Sequence, residues 1–434
     1  MDGKELQSCR SRLEAFLADL LEPLGRLERR RWGNAYVRGL LLDGERKSIE
    51  PMAARLPDGN VQAMQQFVGQ SPWDHNSIRK KLAERMIDTM VPAVGWIVDD
   101  TGFPKQGKKS VGVARQYSGT LGKVGNCQIA VSLNLATADA SMPINFEIYL
   151  PKAWADDPSR LKRAGVPNGH SFKTKWQIAL YLIDQALSWD IPKGVVVCDC
   201  AYGNGNPFRQ GLIDRQLCYV AEIEAKTIVF DEPKKTRRRV GDQPTDNETD
   251  KAAVLTVKDF ALKLPASRWQ TIKWRQGTKR RLVSRFAAVR VLPAHRPAKG
   301  EKAPPRQWLL IEWPKGEPEP TKYWFSNLLQ QAGISRLVFF AKVRWRIEQS
   351  YQQLKEELGL DHYEGRGYLG WHHHVTMTML AYGFLLRETL RSKKTSGWTL
   401  PKVGREMQLL IVFWSGTCPI CRRKIHYDRL SRSP

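Results

Sequence analysis

Long apolar runs are missing from this 434-residue chain. The two longest, 377–386 and 409–414, fall far short of the roughly 18–20 residues that a bilayer-crossing helix needs. That excludes a membrane-spanning class. The first ten residues, MDGKELQSCR, mix both charge signs and lack an apolar stretch, so no signal peptide is expected. Cysteine is sparse: seven residues, at 9, 127, 198, 200, 218, 418 and 421, an odd and scattered set. Such usage argues against a disulfide scaffold and for a reducing, cytoplasmic setting. No repeat recurs at a fixed period, which excludes solenoids and propellers.

Acidic residues are scarce relative to basic ones: 44 Asp plus Glu against 69 Lys plus Arg, a net charge of +25. A chain with that excess attracts polyanions, so nucleic acid heads the expected partners. Hydrophobic residues at 42% and charged ones at 26% exclude wholesale disorder.

Residues 1–88 read as helical and form a candidate DNA-binding domain. Leu13, Phe16, Leu17, Leu20 and Leu21 recur at helical spacing. The basic run Arg29, Arg30 and Arg31 follows as a DNA-contact candidate. Ser48 can cap a helix over 52–56, and the breaker Pro57-Asp58-Gly59-Asn60 separates it from a second helix over 61–69. Two short helices around a tight turn suit a helix-turn-helix, although any small helical bundle has such turns. From about residue 89 the pattern becomes β-β-β-α-β-α-β, which predicts an α/β fold with a mixed sheet over 89–224. A β-rich insertion is expected at 225–330, with a polar mobile loop at 234–250. One helix is expected to run from about 337 through 358, inside a helical part at 331–390. The basic tail, 391–434, reads as loosely organised.

Asp100 and Asp199 each stand where an apolar strand stops and a glycine-containing loop begins. Ligands bind at such strand ends in open α/β sheets, but a lone strand-end Asp is as readily a turn former or helix cap. In RWRIEQSYQQLKEEL, Arg344, Glu348, Tyr351 and Lys355 fall at about 0°, 40°, −20° and 20° around a helix of about 100° per residue. Ile347 and Leu354 lie to one side as anchors. A solvated ion-pair face would explain that strip equally well. Two strand-end aspartates with a helix-borne glutamate suit phosphodiester chemistry. In-line displacement needs charge stabilisation at both oxygens, and two divalent ions about 3.5–4 Å apart, held by carboxylates, supply it.

At these residues the chain resembles the DDE transposases of bacterial insertion sequences, in the branch with a Y-x2-R-x3-E-x6-K signature. Arg344, Glu348 and Lys355 match its spacing, and Ala341 stands where the tyrosine would be. The blocks DDTGFPKQGKKSVGVARQYSG, VCDCAYGN and YEGRGYLGWHHH are similar to the insertion-sequence 701 family. The resemblance implies an RNase H-like catalytic core and a metal-binding triad of Asp100, Asp199 and Glu348. Asp100 is preferred to Asp99 because a threonine, here Thr101, follows the family's aspartate. It further implies two Mg2+ ions, with Mn2+ as a substitute, and DNA-phosphate contacts from Arg344 and Lys355. Cleavage of inverted-repeat ends, strand transfer, a homodimeric synaptic complex and a nucleoid-associated location also follow from it. The competing readings are an inactive DNA-binding regulator and a nuclease without strand transfer.

Weaker signals remain. Trp269, Trp274, Trp308, Trp313 and Trp324 fall in the insertion among Lys273, Arg275, Lys279, Arg280, Arg281 and Arg285. The basic residues make the region a DNA-contact candidate, and each tryptophan reads first as core. Cys418, Cys421 and His426 fall short of the four ligands of a structural zinc site. His372, His373 and His374 read as packing and phosphate-contacting residues. Cys198 and Cys200 read as small buried residues.

Overall fold

The computed structural model describes residues 3–231, 253–276, 281–294, 305–393 and 399–415. The chain opens with five helices: α1 (Gly3–Leu20), α2 (Leu27–Leu41), α3 (Ile49–Arg55), α4 (Val61–Gly69) and α5 (His75–Thr89). Strands β1 (Gly95–Pro104), β2 (Ala114–Ser118), β3 (Lys123–Ala136) and β4 (Ser141–Ile148) follow. Next come α6 (Lys152–Ala155), α7 (Pro158–Arg163), α8 (Lys175–Ser188), β5 (Val195–Cys198), α9 (Cys200–Gly203), α10 (Asn206–Asp214) and β6 (Tyr219–Ile223). Among the described residues of the insertion lie β7 (Ile228–Asp231), β8 (Ala253–Thr256), α11 (Val257–Leu262), β9 (Gln270–Gln276), β10 (Arg281–Pro293), β11 (Gln307–Pro314) and β12 (Lys322–Ser326). The chain closes with α12 (Ile334–Val343), α13 (Trp345–Glu356), α14 (Tyr368–Lys393) and α15 (Leu400–Ser415).

Two compact units result: 1–94 with 99–192 and 345–434, and 95–98 with 193–344. Strand β1 contributes to both. In the first unit β3 pairs antiparallel with β2 and β4. Alongside it runs β1, bracketed by Val94 N donating to Ala136 O and Lys105 N to Asn126 O. Residues 1–88 share this unit with α14, which packs on α2, α4 and α5. Residues 371–386 of α14 are buried all round, and the polar His373, His374, Thr376 and Thr378 among them are hydrogen-bonded within this enclosure.

In the second unit β1, β5 and β6 run parallel, and β12, β11, β10, β7 and β8 extend the order antiparallel. Val195, Val196, Val197 and Cys198 are all buried, which is why β5 reads as a continuous apolar run. The fold is α/β with a mixed sheet, as expected, and the strand orders β4–β3–β1 and β1–β5–β6 are consistent with an RNase H-like core.

Two expectations need correction. The helix foreseen over 337–358 is two helices, α12 and α13, parted at Arg344. Arg344 keeps helical dihedrals, φ −55° and ψ −34°, so the residue pattern carries no sign of the break. The tail is not loosely organised throughout, since α15 occupies 400–415. The segment 234–250 and the Cys418, Cys421 and His426 set lie outside the described residues.

Candidate active site

Asp100 lies on β1 and its Oδ2 is 2.9 Å from Lys175 Nζ. Lys175 opens α8, whose start is fixed by a capping box between Thr174 and Gln177. Asp99, its neighbour, points to the other face of the strand by pleat alternation. Its Oδ1 accepts from the Asp100 backbone N–H at 2.8 Å. Gly102 lets the chain pass close by: a Cβ there would sit 1.9 Å from Ser118 Oγ.

Helix α13 is pinned over the β3–β4 hairpin from several directions. Ile347 and Leu354 are fully buried, as their spacing predicted. Tyr351 shares a 2.6 Å hydrogen bond with Ser132 Oγ, so packing is its duty. Ser350 Oγ donates to Ser141 O at 3.0 Å, and Arg346 Nε to Ala138 O at 3.0 Å. Lys355 Nζ donates to Gly102 O at 2.8 Å and Thr120 Oγ1 at 3.0 Å. It thereby ties the helix to β1 two residues beyond Asp100. Burial pulls the Lys355 ammonium below its ordinary range, with Asp361 opposing the shift. Glu348 stands on the exposed face of the helix so fixed. Arg344 is the C-cap of α12, so of the strip from Arg344 to Lys355 only Glu348, Tyr351 and Lys355 lie on α13.

In the second unit Asp199 follows β5 and caps α9, its Oδ1 accepting from Ala201 N at 3.0 Å. The turn is tight because Gly203 presses on β6, where a Cβ would meet Glu222 O at 1.9 Å. Cys198 is buried, and the Cys200 thiol is pushed up by burial and by the Asp199 charge, so neither is poised as a nucleophile.

The remaining candidates scatter. Arg29 and Arg30 are half-buried and Arg31 is exposed, its guanidinium 5.1 Å from the Trp32 ring. Lys273 is exposed on β9, which also carries Arg275, and Arg281 opens β10. Arg280 lies outside the described residues. Trp324 is core, Trp269 packs edge-on to Trp313, and Arg285 covers Trp313 at 4.5 Å. His372, His373 and His374 are fully buried, so they pack but touch no phosphate. Sequence reading missed Lys175, whose only signal is a helix-start pattern, and Arg79. Buried Arg79 donates to Thr376 Oγ1, Asn145 Oδ1 and the Phe146 and His372 carbonyls, joining α5, β4 and α14.

Among the described residues no group of three or more His, Cys, Asp or Glu side chains is gathered as a metal cluster. The donor chemistry nonetheless fits a hard divalent cation: carboxylate oxygens, with the Lys175 ammonium standing as a cation at Asp100.

The family model for the DDE superfamily endonucleases matches residues 19–281, a stretch holding both aspartates. The chain belongs to that family, whose chemistry depends on divalent metal. It is 30% identical over 194 residues to the probable transposase for insertion sequence element IS701 of Microchaete diplosiphon. That match spans 44% of this chain and 48% of the relative, about half its length. A piggyBac transposase, solved in a synaptic complex with hairpin DNA, aligns at TM-score 0.46 and 10% identity over 94% of this chain and 76% of that one. No helix among the described residues is long and apolar enough to cross a membrane.

Proposed function

We propose that this chain is a DNA transposase that binds the terminal inverted repeats of its insertion sequence, cleaves the strand ends and joins them to target DNA. The observation that carries this reading is the endonuclease family match across Asp100 and Asp199. In this reading Asp100, Asp199 and Glu348 hold the catalytic metal, with Mg2+ the natural ion and Mn2+ a substitute. When bound, the metal supplies charge stabilisation to the attacking and leaving oxygens. The protein's own part is placement. Lys175 balances the Asp100 charge before substrate arrives. Lys355 holds the Glu348 helix against β1 and serves as a phosphate contact, which adds attraction without sequence information. Arg344 serves as a phosphate contact. Arg29, Arg30, Arg31, Lys273, Arg275, Arg280 and Arg281 extend the basic surface to DNA, and two ends held together call for a homodimer.

The test is cleavage of a duplex carrying the element end, with Mg2+ present. Asp100→Asn, Asp199→Asn and Glu348→Gln each remove a ligand charge while keeping shape, and each is expected to lower cleavage by at least about a hundredfold. Equal activity of wild type and Glu348→Gln would overturn the assignment. Cleaved but never joined products would reduce the chain to a nuclease.

A further inference from the structure

Helix α4 carries no charged residue, although the protein is 26% charged. Its buried face is Met64, Phe67 and Val68. The opposite face presents Gln62, Gln65, Gln66 and Gly69, clustered within about 100° at about 100° per residue. All four are exposed, and the three glutamine side chains make no hydrogen bond to any described residue. An ordinary solvated face looks different, as α5 shows: Lys80 faces Glu84 at 3.9 Å, and Lys81 and Arg85 both reach Asp19.

Gly69 adds a second observation. A Cβ there would meet nothing within 4 Å, and its backbone is not left-handed, so the fold itself does not demand glycine. Gly69 ends the helix at the C-terminal edge of the amide face, and its bare Cα leaves room there for a close-approaching partner.

The flanks differ in charge. On one side a cavity of about 310 Å3 is lined by Arg26, Glu28, Arg29, Trp32, Gln66 and Gln70. On the other lie Glu50 and Glu364, the latter bridged by Arg46 at 3.1 Å.

We propose that α4 is a reading helix that enters the DNA major groove and recognises adenine through Gln62, Gln65 and Gln66, with Arg26 and Arg29 on the flanking phosphates. This rests on the DNA-binding reading above. A helix about 10–12 Å across fits a groove about 12 Å wide. A glutamine amide offers one donor and one acceptor side by side, matching adenine N7 and N6–H2. The arginine side sets which way the phosphates run, because the glutamate side repels them.

The experiment selects from a randomised duplex library with the full chain. Wild type is expected to enrich A·T pairs at two or three neighbouring positions. The triple variant Gln62→Ala, Gln65→Ala, Gln66→Ala should lose that preference, each lost pair relaxing discrimination by about 5- to 100-fold. It should keep the salt dependence of binding. Arg26→Ala with Arg29→Ala should weaken all sequences alike and lower the log-log salt slope by about two. Alanine favours helix, and a thermal melt confirms that each variant folds. A selected motif unchanged in the glutamine variant overturns the reading helix and leaves the transposase reading standing. No affinity of wild type for any duplex would sink both.

Discussion

Lys175 is the side chain whose contact says most about the candidate site. In the metal site proposed here, its ammonium and a divalent cation would seek the same oxygen of Asp100, 2.9 Å from Lys175 Nζ. Replacing it by methionine removes the competitor, so Lys175→Met should bind Mn2+ several-fold more tightly, read by electron paramagnetic resonance titration. A rise in the dissociation constant would show instead that Lys175 orients the carboxylate. Lys342 poses the structural counterpart in the other unit. It meets buried Glu312 at 2.5 Å and stands 4.5 Å from the Trp274 ring. Burial pulls its ammonium down and Glu312 opposes this. Lys342→Met strands a buried carboxylate and should cost about 3–5 kcal/mol in urea unfolding, while Lys342→Met with Glu312→Leu should recover much of that loss. At this scale the sequence was only partly legible. Asp199 is visible because an apolar strand stops at it, whereas β1 runs on past Asp100 to Pro104, so that residue sits within the strand and not at its end. Lys175 and Arg79 find their partners through contacts 75 and 297 residues apart, which no local pattern records.

Elements whose pattern is local were the ones read well. The helix at 61–69 appears with the expected bounds because a breaker precedes it and Asn60 accepts from Ala63 N. Strand β12 went unread: Tyr323, Trp324, Phe325 and Ser326 are all buried, so it shows no alternation, and although β11 precedes it across a short turn, its other partner, β6, is distant in sequence. The histidines of α14 were legible as packing and misread as phosphate contacts, since burial on every side belongs to the tertiary enclosure. That enclosure makes α14 sensitive to acid. His374 Nε2 donates to Gly359 O at 2.9 Å and its Nδ1 shares a 2.8 Å hydrogen bond with Tyr36 OH, which donates to the ring when it is neutral. Burial lowers it to about 4 from an ordinary value near 6.5. The folded value is the lower one, so between about pH 6.5 and 4 the unfolded chain takes up a proton that the native chain refuses. Stability is present above that window and is lost as pH falls through it, by up to roughly 1.4 kcal/mol per pH unit for the ring. His373 faces two carbonyls, at 2.8 and 2.9 Å, which favour its charged form and soften its own share. Urea midpoints from pH 7 to 4.5 should fall steadily, and His374→Gln should flatten the slope by about one proton. An unchanged slope would mean that the ring is charged in the native state.

Over the whole molecule the clearest signal is charge. The partner class proposed here, nucleic acid, can be argued from +25 alone because electrostatic attraction sums over many side chains and needs no particular fold. The division into units was not legible, since it gathers 1–94 with 345–434 across the intervening sequence. Charge read this way carries a quantitative consequence. Each neutralised phosphate releases a counterion, so the logarithm of affinity falls with the logarithm of salt at about −0.9 per contact. If the basic surface engages about six to ten phosphates, affinity for duplex of any sequence should drop about 10³- to 10⁵-fold between 50 and 200 mM salt. Fluorescence anisotropy on a scrambled 30-base-pair duplex measures that slope directly. A slope shallower than about −2 would mean that the excess charge is spread over surfaces that never meet DNA, and that affinity for the element ends has to come from base contacts.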